Sequence, residues 1–186
     1  MESNPKEKQQ PRSYRPIENA TGEELEEDML LKARFFFMRT VCGLGQGDVA
    51  RMFQLDVRQV KRFENDPRYP MPADLYEWMG KRFARHNRVV SNMLRDIHDG
   101  LEDGSVREPI RLPLYKTQHD YKTMNPTLAP NWQFYREINS QTFDVQQVLE
   151  REGYEVEAWY PAFRAYEKEK QHDGTQEAVR QAGRAD

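Results

Sequence analysis

A chain of 186 residues with 37% hydrophobic and 32% charged side chains can hold one or two small domains, but not a core running its whole length. No run reaches the roughly eighteen apolar residues of a membrane span, and the N-terminus lacks a basic region followed by an apolar stretch, so a cytoplasmic protein with no membrane partner is expected. The net charge of −3 conceals a segregation: residues 31–95 hold 13 Lys and Arg against 6 Asp and Glu, while both flanks are acidic, so the sum does not exclude nucleic acid.

Residues 1–20, rich in Lys, Gln, Pro and Glu, read as a disordered tail, as do residues 167–186. Thr21 and Glu24 have capping-box spacing, and Glu23, Glu24 and Glu26 suit the positive end of a helix dipole. The helix that follows is predicted to reach about Val41, with Leu30, Ala33, Phe37 and Val41 near one face and Phe35 and Phe36 adding core aromatics. The single cysteine, Cys42, cannot form an internal disulfide and is read as a small hydrophobe near the end of this helix.

Leu44 to Asn65 reads as two short helices around a tight turn. In the first, Val49, Ala50 and Phe53 form an apolar set, Ala50 being small enough to let two helices approach closely. Asp56 is an N-cap for the second. There Val60 and Phe63 face inward, which leaves Val57, Arg58, Gln59, Lys61 and Arg62 outward or at the rim. This division suits a helix entering the DNA major groove, where Arg and Gln reach base edges. The cluster from Gly43 to Gly47 lacks the preceding strand and the Lys-Ser/Thr or third spaced glycine of a phosphate-cradling loop.

Asn65 to Pro72 is a Pro-rich loop with Pro72 at a first-turn position. A helix is predicted from Ala73 to about Glu102, with a stripe of Leu75, Trp78, Met79, Phe83, Val90, Leu94 and Ile97, a bend near Gly80, and an end at Asp99-Gly100 and Asp103-Gly104. Ile110, Leu112 and Leu114 alternate with Arg111, Pro113 and Tyr115 as a short strand, which Pro113 confines to an edge. A short helix is predicted from Thr117 to Met124. Asn131 then caps a helix reaching about Arg151, whose stripe is Trp132, Tyr135, Ile138, Thr142, Val145 and Leu149, widened by Phe134 and Phe143. Gly153 ends it, and Tyr154 to Tyr160 is an aromatic extension.

Gln46, Ala50, Leu55, Asp56, Val60, Phe63 and Glu64 resemble the pattern of the XRE-type, lambda-repressor-like helix-turn-helix regulators over about residues 30–85, with Gly45 and Gly47 standing where Thr and Glu are usual. Over about residues 30–150, the chain is similar to the YdiL-like and anti-CRISPR-associated repressors, which dimerise through a C-terminal unit. The echoes are Arg58, Phe63-Glu64, Asp103-Gly104 before the strand, and Trp132 with Gln141 in the late helix. The resemblance implies that the loop after the recognition helix approaches the DNA backbone, making Arg68 and Tyr69 candidate phosphate contacts.

The expectation is a mainly α protein: a helix-turn-helix DNA-binding domain with a helical connector over residues 21–104, and a small α+β C-terminal dimerisation unit over residues 105–166. As a homodimeric repressor on an inverted repeat of double-stranded DNA, it would read bases with Val57, Arg58, Gln59 and Arg62 and hold phosphates with Gln46, Lys61, Arg68 and Tyr69. Self-association is assigned to Trp132, Tyr135, Ile138, Val145 and Leu149, more apolar surface than so small a unit can easily hide. No catalytic residue, cofactor or metal is expected, because His86, His98, His119 and His172 lack ligand spacing. They are placed at the surface, with His86 near phosphate. The alternatives are an antitoxin-like or adaptor protein that binds protein through its C-terminal helices, and a regulator that meets RNA through the same basic helix.

Overall fold

Three helices in the first part of the chain begin at caps built from their own sequence. α1 (Gly22–Val41) starts at Thr21, whose Oγ1 accepts the Glu24 N–H at 3.3 Å while Glu24 Oε2 accepts the Thr21 N–H at 2.8 Å. α2 (Gln46–Phe53) starts at Gly45, whose N–H donates to Asp48 Oδ2 at 2.9 Å. Gly45 is thus the extended residue before the helix, where glycine costs little, and not part of its interior. α3 (Val57–Asn65) starts at Asp56, which accepts the Arg58 N–H at 2.7 Å and donates its own N–H to Gln59 at 3.1 Å. The turn between α2 and α3 places Gln54 in the left-handed region, at φ 54°.

The computed structural model describes residues 21–127 and 134–161, and the described part is mainly helical, with six helices and a two-stranded parallel sheet. The predicted tails, Asn131 and Trp132 lie outside the described residues. The chain divides into two units between Arg85 and His86, inside α4 (Ala73–Asp103) and ahead of the 104/105 boundary expected from the glycine turns. The reason lies in the stripe of α4: Leu75 and Met79 are buried in the first unit, whereas Val90, Leu94 and Ile97 pack against the core of the second. The helix runs unbroken through Gly80.

In the first unit Phe35, Cys42, Leu44, Val49, Ala50, Val60, Phe63, Leu75 and Met79 are buried, and α1 and α2 both pack on α3. The face of α1 differs from the expected one. Lys32, Phe35 and Arg39 point inward, while Leu30 and Phe37 are 62% and 58% exposed and Ala33 and Phe36 are exposed as well. Two buried cations occupy the inner stripe, so apolar periodicity picks out the opposite side of the helix.

The second unit pairs β1 (Ile110–Pro113) with β2 (Val156–Trp159) in parallel, Ile110 opposite Val156 and Pro113 opposite Trp159. Between them lie α5 (Gln118–Met124), capped by Thr117, and α6 (Tyr135–Glu152), which ends at Gly153 in the left-handed region. The aromatic extension after Gly153 is therefore a strand. Its partner is far away in sequence, so nothing local marks it.

Val145 and Leu149 of α6 are fully buried in one core with Ile110 and Leu112, covered by Val90, Met93, Leu94, Ile97, Leu101, Val106, Tyr154 and Val156. This corrects their assignment to self-association: the later part of α4 and the sheet hide the stripe within the chain. Tyr135 and Ile138 are half-buried. His86 is corrected too. It is 2% exposed, with Nε2 2.6 Å from Asp144 Oδ2 on α6, and so is a core residue, with no surface from which to meet phosphate. Asp99-Gly100 does not end α4, which continues to Asp103 before Gly104 turns it with φ 78°. Gly100 instead admits the following turn: a Cβ there would stand 2.5 Å from Val106 Cγ2.

Candidate nucleic-acid interface

The interface is built on α3. Val60 and Phe63 are buried at i, i+3 spacing, so Val57, Arg58, Lys61 and Arg62 emerge on the other side, and all four are exposed. Gln59 is half-buried, because its side-chain oxygen serves the Asp56 cap. Arg58, Lys61, Arg62 and Asn65 form one wall of an open concavity of about 630 Å3, and Asp66, Pro67 and Arg68 of the following loop form the other. Four cations thus converge on one concave surface, a form suited to a polyanion.

The loop orders two further groups expected at phosphates. Tyr69 is half-buried and lies 5.2 Å beneath the Arg62 guanidinium, a cation–π contact that holds Arg62 near the loop. Arg68, its side chain 72% exposed, donates from Nε and Nη2 to the two carboxylate oxygens of Asp66 at 3.0 and 2.9 Å. These bonds, helped by the Arg68 backbone N–H, hold the Asp66 carboxyl down to about 2 and push the guanidinium of Arg68 up.

Gln46 is brought to a different task from the one expected of it. Its amide nitrogen donates to Glu64 Oε2 at 2.6 Å, and that carboxylate also takes the Arg39 guanidinium, whose Nη2 lies 3.2 Å away. Arg39 further donates to the Leu44 carbonyl at 2.6 Å. Glu64 and Arg39 are both buried, so this network ties α1, the start of α2 and the end of α3 by directed bonds, where apolar contact alone would leave the angle loose. Sequence reasoning passed over Arg39, Lys32 and Asp28. The available signal was the Asp28, Lys32, Phe35, Arg39 series, a helical stripe with a charge pair at i, i+4.

No protein-family model and no curated protein matches the chain. Among the described residues no group of three or more His, Cys, Asp and Glu side chains could hold a metal ion, and no helix is long and apolar enough to cross a membrane.

Proposed function

We propose that the protein is a sequence-specific DNA-binding repressor, with α2 and α3 as its helix-turn-helix and α3 as the helix that enters the major groove. One observation carries this reading: a capped helix, held from behind by Val60, Phe63 and Glu64, presents Arg58, Lys61 and Arg62 on a single exposed side continuous with Arg68. Arg58 and Arg62 are the base readers, since Arg bidentate to guanine is the commonest specific contact. Lys61, Arg68 and Tyr69 contact phosphate. Val57 contributes apolar contact, and Gln59 reaches bases with its amide nitrogen while its oxygen holds the cap.

Action as a homodimer would set two α3 helices about one duplex turn apart, roughly 34 Å, and select an inverted repeat. Of the α6 residues assigned to that contact, Tyr135 and Ile138 keep exposed surface. The test is selection of fragmented genomic DNA on the immobilised protein, followed by sequencing. An enriched inverted repeat supports the proposal, and enrichment of none, with retention of RNA or protein instead, overturns it. Arg58→Ala should weaken the selected site by about 1–3 kcal/mol and relax preference at one position per half-site.

A further inference from the structure

The loop that carries Arg68 and Tyr69 is held by a charge pair on α1. Lys32 is 1% exposed, and its ammonium donates to the carbonyls of Asp66 at 2.9 Å and Tyr69 at 2.6 Å. Its ammonium also lies 2.6 Å from Asp28 Oδ2, an ion pair beside the two hydrogen bonds to the loop. Asp28 in turn accepts the Met71 N–H through Oδ1 at 2.8 Å. The cation grips carbonyls at the start and middle of the loop, and the anion grips an amide at its end. One turn of α1 thereby fixes both ends of a segment that belongs to no helix or strand and whose own backbone bond is one turn, Tyr69 N–H to the Asp66 carbonyl at 3.0 Å.

We propose that Asp28 and Lys32 are positioning residues for nucleic-acid contact: a clip that sets the height and direction of the 66–70 loop so that Arg68 and Tyr69 meet phosphate together with Lys61. The inference rests on the DNA reading for its purpose, though the clip can be tested without it. A buried ammonium needs acceptors for its N–H groups wherever it lies, and carbonyls on any element would serve. Here all its directed bonds fall on the loop or on the residue that completes the loop's anchorage. Arg68 bonds Asp66 through its backbone N–H and its guanidinium, so its position follows the backbone that Lys32 holds.

The test compares the full-length protein with Lys32→Met and Asp28→Ala by amide hydrogen exchange and by titration with the selected duplex. Exchange at Arg68, Tyr69 and Met71 should quicken at least tenfold in Lys32→Met while Val60 and Phe63 change less than twofold. Acceleration spread evenly over α3 and the loop overturns the clip. If Lys32→Met fails to fold, Asp28→Ala, which removes the acceptor, decides the matter at Met71 alone, where unchanged exchange overturns the proposal. In the duplex titration, Lys32→Met should flatten the slope of log K against log salt by about 1, and Arg68→Ala should then cost nothing further. Additive losses mean Lys32 does not act through Arg68. A wild-type protein that binds no duplex removes the DNA reading and leaves the exchange result to judge the clip.

Discussion

Asp66 is the residue on which the basic surface turns, because its carboxylate shares the Arg68 guanidinium with any phosphate that meets it. Asp66→Asn removes an anion that competes with phosphate for Arg68, so binding to duplex DNA should tighten by roughly twofold to fivefold while the number of phosphate contacts, and with it the salt slope, stays the same. A weaker complex would mean that Asp66 positions Arg68 and does not restrain it. The same carboxyl gives a pH marker. Its value is depressed to about 2 in the folded chain, so its contribution is complete above the ordinary carboxylate range and is lost only as the pH falls through about 2. A carbon-detected NMR titration should show Asp66 still ionised at pH 3. Gln54 carries the other local strain. A side chain in the left-handed region costs roughly 1–2 kcal/mol, against which glycine's extra freedom in the unfolded chain offsets about half, so Gln54→Gly should raise stability by up to about 1 kcal/mol in urea denaturation.

At the level of elements, caps and turns were the most legible features. Thr21 and Asp56 cap helices as their side chains predict, because an N-cap is decided within four residues, and a short helix follows Thr117 as expected, whereas α6 starts after Phe134 and not at the Asn131 expected to cap it. The inward pair Val60 and Phe63 was readable for the same reason, and so were the outward basic residues of α3. The faces of α1 and α6 were not. Lys32 and Arg39 are inside because Asp66, Tyr69 and Glu64, all remote in sequence, supply their acceptors. Val145 and Leu149 are inside because strand and helix neighbours from elsewhere in the chain cover them. Gly100 shows the same dependence, since a helix-interior glycine resembles a terminator until the Val106 side chain is seen against it. Gly100→Ala should gain about 1 kcal/mol in helix propensity but lose more to overpacking, roughly 1–3 kcal/mol, leaving the second unit less stable. A higher midpoint in urea would show that the 105–106 turn yields easily.

Over the whole molecule the separation of charge matters more than its sum. The basic excess of residues 31–95 coincides with the segment that carries α2, α3 and the loop, and acidic residues dominate on either side of it. Local attraction with a net negative exterior favours association that is fast at low salt and falls steeply as salt is raised. Raising NaCl from about 50 to 200 mM should therefore weaken non-specific duplex binding at least tenfold. A flat response would mean that the cations of α3 and its loop meet no phosphates. This segregation was readable from residue counts, as was the placement of a candidate interface. Which cations are spent internally was not, since Lys32 and Arg39 count toward the excess yet serve the core.

The parallel pairing of β1 with β2 carries a consequence for the order in which the chain folds. Arg111 and Glu157, ion-paired at 3.1 Å across the sheet, are 46 residues apart in sequence, so β1 has no partner until α5, α6 and β2 have all left the ribosome. The contacts of the first unit span shorter separations, with α2 packed on the α3 that follows it and α1 joined to α3 by Arg39 and Glu64, 25 residues apart. Closing the long connection demands entropy before its contacts form, and low contact order is fast where high contact order is slow. A growing polypeptide should acquire α1 to α3 early, and then wait, with Ile110 and Leu112 still solvated, for β2 to arrive.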